Sequence, residues 1–344
     1  MSARLANSFR AMYAPVAAIL LTLALGFLLV VAVTDDPVRA YRDLLFANFD
    51  SLGNFALFLN RATPLTLIAL GVIFSFRAGI FNVGGEGQLY AGAITATVVG
   101  VMLAGLPAIV LLPLAIAAGI LAGAFLGWIP GVLKVRFAVD EVVTTLMLNI
   151  IVLLFTSYLS NQVIRDTKSY GAVSEMVPQK IWLPSLPGVP GATSGIMVAV
   201  ILALVTWLVL FRTEWGAQLR ASGTNLRFAK AVGIPAGQRI ITAMLIAGGF
   251  GGLAGALYVL GIGHRFEQNF SPEYGLVGLT CALLARIHPI GALATAIFYA
   301  MMINGSAYMQ ISTDVPRSLV DLLTGLLVLL MTARLTVAGA RGRS

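Results

Sequence analysis

Apolar runs of about twenty residues, separated by short polar segments, recur along almost the whole chain. A helix needs about 20 consecutive apolar residues to cross a bilayer. Ten runs reach or approach that length: Ala14 to Val33, Asn54 to Phe76, Val83 to Leu103, Ala108 to Leu133, Glu141 to Leu159, Gly195 to Phe211, Arg239 to Gly263, Tyr274 to Ala285, Pro289 to Gly305 and Arg317 to Thr332. Tyr274 to Ala285 is short for a full span. Val83 to Leu103 opens on the polar, glycine-rich stretch NVGGEGQ. The pattern predicts an all-α polytopic membrane protein with about ten transmembrane helices in one domain spanning residues 1–344. The longest polar segment, Ser160 to Ser194, is too short to hold a core of its own. The first run follows Arg4 and Arg10, exceeds a signal-peptide core and lacks a cleavage site, so it reads as a retained span.

Composition sharpens this picture. Of 344 residues, 59% are hydrophobic and only 10% are charged, against roughly 25% charged in a soluble domain. The 36 glycines suit packed membrane helices, where small residues let backbones approach closely. Gly248, Gly252 and Ala256 form one such ridge. A net charge of +8 does not indicate nucleic acid, because the cations are spread over loops between apolar runs. The lone Cys281 excludes a disulfide framework and a cysteine metal site.

The charges orient the spans. With the N-terminus inside, the inner segments hold fourteen of the 22 basic residues but only Asp140, Glu141 and Glu214 among the acids. This bias places both termini in the cytoplasm. One inner segment stands out. Glu214 to Gly237 sets Arg220, Arg227 and Lys230 against a single acid, with Arg212 and Arg239 flanking it. Ala217 to Ala221 favours a short helix that Gly223 and Asn225 can stop. A second, Leu226 to Val232, ends at Gly233 before Pro235. Two short helices with a basic face, held between spans, form a docking surface.

Enzyme signatures such as GxxxxGK[ST], HExxH and GxSxG are absent, so no catalytic or metal-ligating residues are assigned. The strongest intramembrane signal is Phe76 to Ala93, FRAGIFNVGGEGQLYAGA. Its glycines weaken the helix start, and freed backbone at membrane depth is tolerated where it lines a cavity. Asn82, Glu86 and Gln88 offer polar groups there; they line a substrate path, or Glu86 is paired within a packing knot. Thr144, Thr145, Leu148 and Asn149 share a helix face, from which Asn149 either contacts solute or joins two helices. Outside, His264, Arg265, Phe266, Glu267 and Tyr274 form a loop that rims the path or is simply solvated.

Together with DEVVTTLMLNIIV, LRASGTNLRFAKAVGI, FSPEYGLVGLTCALLARIHPIG and the MINGSA stretch from Met302 to Ala307, FRAGIFNVGGEGQLYAGA resembles the membrane permeases of bacterial ABC importers. The family is the ribose and branched-chain amino-acid permease type, and the wording is most similar to the nucleoside and simple-sugar group served by lipoprotein receptors. The similarity runs from Asn60 onward. It implies a multi-pass permease of the bacterial cytoplasmic (inner) membrane that moves a nucleoside or simple sugar by alternating access. It implies a cytoplasmic coupling helix within residues 213–238, with Arg220, Gly223, Asn225, Ala229 and Gly233 matching the family pattern. Asn304, in the MINGSA stretch, joins the path residues Asn82, Glu86, Gln88, Thr145 and Asn149. The implied partners are a cytoplasmic ABC ATPase that carries ATP and Mg, a second permease chain identical or homologous to this one, and a periplasmic or lipoprotein solute-binding receptor. No cofactor is expected on this chain. The alternative is an ion-gradient-driven transporter or channel with Glu86 carrying a proton, which leaves the basic island unexplained.

Overall fold

A computed structural model describes residues 34–167 and 173–313, with a few isolated positions on either side. The expected first and tenth spans lie outside these residues. The described chain is helical almost throughout and divides into two compact units, residues 1–58 with 300–344, and residues 59–299.

In chain order, α2 (Leu52–Arg77) leads to α3 (Gly85–Met102), α4 (Ala108–Phe137), α5 (Glu141–Gln162) and α6 (Gly195–Arg212). These follow α1 (Pro37–Phe46) of the smaller unit. Next come the short helices α7 (Glu214–Thr224) and α8 (Leu226–Ala231), then α9 (Ala236–Tyr258), which runs on into a π turn at Val259–Gly263. The half-length α10 (Tyr274–Leu284) and α11 (Pro289–Ser312) complete the set. Six of these helices are long and apolar enough to span a membrane. The expected boundaries hold to within a few residues, except that α11 continues to Ser312 and α4 to Phe137.

The core of the larger unit is a three-helix contact of α3, α4 and α9 built on glycine. A methyl group at Gly92 would overlap the Gly252 carbonyl oxygen, and one at Gly252 would overlap that of Gly119. Gly123 and Gly248 oppose each other in the same way, as do Gly255 and the Leu89 carbonyl. The helix backbones therefore touch directly. Lipid gives little hydrophobic drive for helix association, so van der Waals contact at this range supplies it.

Two segments between the apolar runs carry structure of their own. The acidic stretch 35–50 contains α1, because Asp36 caps it by accepting from Arg39 N at 3.0 Å and Pro37 supplies the preset first turn. The segment 160–194 is not an open loop, although residues 168–172 are not described. It carries an antiparallel hairpin, β1 (Ser185–Leu186) and β2 (Val189–Thr193). Asn60 of α2 holds β2, donating to Gly191 O at 2.8 Å and accepting from Thr193 N at 2.9 Å. Ser174 N and Val177 N donate to Phe266 O and His264 O, and Lys180 Nζ donates to Ala104 O and Leu106 O in the turn between α3 and α4. Val177 and Ile181 are buried. This segment packs on Gly100 of α3 and is hydrogen-bonded to the 260–267 strip, which sequence reasoning about its own length does not capture.

In the smaller unit, buried Asn304 donates to Asn48 Oδ1 at 2.8 Å, and Asn48 Nδ2 donates to Met301 O at 3.0 Å. Asn54 completes this knot by accepting from Tyr308 at 2.7 Å.

Replacing Gly252 with alanine is expected to destabilise the protein by about 1–3 kcal/mol through overpacking. Gly105→Ala, where nothing lies within 4 Å, should be neutral. Thermal unfolding in detergent distinguishes the two.

Candidate functional site

Two helices begin inside the bundle rather than at its ends. Gly85 at the start of α3 and Gly278 in α10 both pack against Ile68, nine residues before the end of α2. At 1.5 Å per residue, that is about 13 Å in from Arg77. The first turns of α3 and α10 meet: a methyl group at Gly275 would overlap the backbone of Glu86. The Glu86 carboxylate accepts from Gly275 N at 2.6 Å. It thus lies at the positive, N-terminal ends of two helices and satisfies a donor of one of them. This accounts for an acid at that depth. Next to it, Tyr90 Oη accepts from Ser271 N at 3.3 Å, and Tyr90 and Tyr258 pack on Phe270 with ring centroids 4.6 and 4.5 Å apart.

The opposite face of the α3 start meets α5. Asp140 caps α5 by accepting from Val142 N and Val143 N at 2.9 and 3.0 Å. Asn149 then bridges the unwound approach to α3: Gly87 N donates to Oδ1 at 2.9 Å, and Nδ2 donates to Val83 O at 3.0 Å. Asn82 Oδ1 accepts from Gly84 N at 2.9 Å, and Val83 N reaches Thr145 Oγ1 at 3.4 Å. A small cleft is lined by Gly84, Gly87, Gln88, Leu126, Thr145, Leu148 and Asn149. Gln88 is only 3% exposed and makes no side-chain hydrogen bond to the described residues.

The structure therefore gathers Asn82, Gln88, Thr145 and Asn149 around one break, with Glu86 on its other side. In the smaller unit, Asn304 spends its side-chain amide on the asparagine knot. Asn149 spends both polar atoms of its side chain on the backbone of the α3 approach, and Asn82 accepts from Gly84 N within the same turn.

At the basic end, Thr213 caps α7 by accepting from Gly216 N at 3.1 Å. Asn225 caps α8, accepting from Phe228 N at 3.0 Å. Gly233 closes α8 with φ +80°, a conformation that favours glycine. Ala229 is fully buried, and Gly223 lies against the Arg77 carbonyl and Gly79. The Arg220 guanidinium stacks over Phe211 at 5.2 Å. All five residues of the island pattern thus build or anchor the element. What faces outward is different: Leu226, Phe228 and Val232 are exposed, with Arg227 and Lys230 among them. The signal for this face was present in the sequence as apolar residues inside the most basic segment.

At the far end, His264 stacks on Trp182 with ring centroids 3.7 Å apart, and burial pushes its imidazole below the ordinary value. Arg265 pairs with Glu267 at 2.9 Å.

A family model described as branched-chain amino acid transport system / permease component matches residues 54–332. The guanosine ABC transporter permease protein NupP of Bacillus subtilis is 32% identical over 332 residues, covering 96% of this chain and 95% of that protein. The glucose ABC transporter permease protein TsgB13 of Haloferax volcanii is 32% identical over 327 residues, covering 92% and 86%. The nucleoside ABC transporter permease protein NupB of Lactococcus lactis is 28% identical over 342 residues, covering 96% and 93%. No solved structure matches significantly.

Two outcomes are expected. Asn149→Leu leaves Gly87 N and Val83 O unpaired and should destabilise the protein by about 1–3 kcal/mol, read from thermal unfolding. The fold favours neutral His264, so its contribution is complete above the unfolded value of about 6.5 and is lost as pH falls through the lower folded value. The melting temperature should drop on acidification, and His264→Gln should shrink that drop.

Proposed function

We propose that this chain carries a nucleoside, reasoning from the fact that it belongs to the family of branched-chain amino acid transport system permease components and is the permease of an ABC importer. The observation that carries the solute assignment is the resemblance to NupP over 96% of this chain. NupB supports the same class. TsgB13 favours a simple sugar as the second reading.

In this reading the chain crosses the bacterial cytoplasmic membrane ten times, with both termini inside. It pairs with a second permease chain, identical or homologous, and takes solute from a binding receptor outside. ATP and Mg reside on a separate ATPase subunit. The broken start of α3 lies beside the solute path. Helix ends at membrane depth are where transporters place polar contacts to solute, because backbone freed there is tolerated only next to a cavity. Gln88 would supply a donor and an acceptor to a passing base or hydroxyl. Glu86, Thr145, Asn82 and Asn149 would hold the shape of that opening.

The coupling element is α7 with α8. Its outer face would dock on the ATPase through Leu226, Phe228 and Val232, with Arg227 and Lys230 favouring an acidic surface. Arg220, Gly223, Asn225, Ala229 and Gly233 would keep that face in position. ATP-driven closure of the ATPase pair then moves the permease chains as rigid bodies, opening the path alternately to each side.

The test is reconstitution of the chain with its co-purifying ATPase and receptor in liposomes. Labelled guanosine should accumulate only with internal ATP, and glucose should not compete. Uptake without any ATPase subunit, or of glucose alone, would contradict the reading. In the same assay Phe228→Asp should release the ATPase and abolish uptake while leaving the permease folded.

A further inference from the structure

Arg77 makes more contacts at the basic end than a flanking charge requires. Its Nε and Nη2 both donate to Ile287 O, at 3.2 and 2.8 Å. Its guanidinium lies 5.2 Å from the centre of the Phe211 ring, the same ring over which Arg220 of α7 stacks at 5.2 Å. His288 stacks on that ring as well, at 5.5 Å. On the backbone side, Gly223 of α7 packs directly on the Arg77 carbonyl and Gly79. Arg77 thus meets α7 directly through its main chain, while its side chain and Arg220 of α7 share the Phe211 ring of α6.

The acceptor is unusual. Ile287 and its neighbour Arg286 both have positive φ, +57° and +53°, in the turn between α10 and α11. A β-branched residue is strained there, and such a conformation persists only where surrounding contacts hold it. The two donations from Arg77 are such contacts. No hydrogen bond or ion pair to a carboxylate neutralises Arg77 or Arg220 among the described residues, and Arg220 Nη1 is buried without a partner. Two like charges share one aromatic ring, an arrangement suited to cation–π contact and poor as a simple ion-pair anchor.

We propose that Arg77 is a positioning residue that locks the α10–α11 turn to the coupling helix α7, so that movement of α7 carries α10 with it. The first turn of α10 is capped by Glu86 at the α3 break, so the lock reaches the solute opening through α10. The proposal rests on the reading of α7 and α8 as the coupling element. It adds a route within the chain that the docking face alone does not supply.

The experiment compares uptake per ATP hydrolysed in proteoliposomes holding the whole complex. The wild type must first show ATP-driven uptake; its failure would count against the transport reading and not against Arg77. Arg77→Ala is expected to keep the complex assembled and hydrolysing while uptake per ATP falls about tenfold, the size of a typical coupling energy. Arg77→Lys, which retains charge and one donor, should recover part of the ratio. Phe211→Leu removes the shared ring without changing charge and should lower the ratio too, which serves if Arg77→Ala does not assemble. Merely loosened structure would lower uptake and hydrolysis together and leave their ratio intact. A ratio within twofold of wild type in Arg77→Ala, or in Phe211→Leu if the former cannot be prepared, would overturn the proposal.

Discussion

Direct contact between helix backbones is the constraint on which the larger unit depends. At Gly92, Gly119, Gly123, Gly248, Gly252 and Gly255 there is no room for a methyl group. Packed cores resist continuous deformation, so helices joined at this range move together or not at all. That rigidity gives α3 a fixed position. It lets the chain break at Asn82–Gly84 without losing the register of the helix that follows.

The break is stabilised by polar groups that each meet a specific backbone atom. Asn149 answers Gly87 N and Val83 O, Asn82 answers Gly84 N, and Glu86 answers Gly275 N. In lipid these donors and acceptors have no water to turn to, so each missing partner would be costly. Gln88 lines the small cleft beside them. The same economy holds at the basic end. Capping and glycine residues shape α7 and α8, and the remaining apolar and cationic side chains face outward.

Much of this was legible in the sequence, because span length and hydrophobic runs are direct physical requirements of a bilayer. The helices from α2 to α6, the two short helices of the island and the ridge at Gly248, Gly252 and Ala256 all followed from such patterns. Partnerships over long sequence distance were not legible. Glu86 with Gly275, Asn304 with Asn48 and Arg77 with Ile287 are set by packing, and no local period announces them. The hairpin in 160–194 was missed for the same reason, since its buried side is completed by residues 260–267. The island pattern pointed to the residues that shape α7 and α8, while the proposed docking face consists of their exposed apolar neighbours Leu226, Phe228 and Val232.

The central claim is that the coupling element and the glycine-packed bundle move as one body. Spin labels at position 227 on α8 and position 105 at the α3–α4 turn, within one chain of the assembled complex, test it most directly. Their separation should stay constant to within about 2 Å on adding ATP and receptor, while the distance between the two permease chains changes. A shift of several ångström within the chain, with the separation between chains unchanged, would contradict the account.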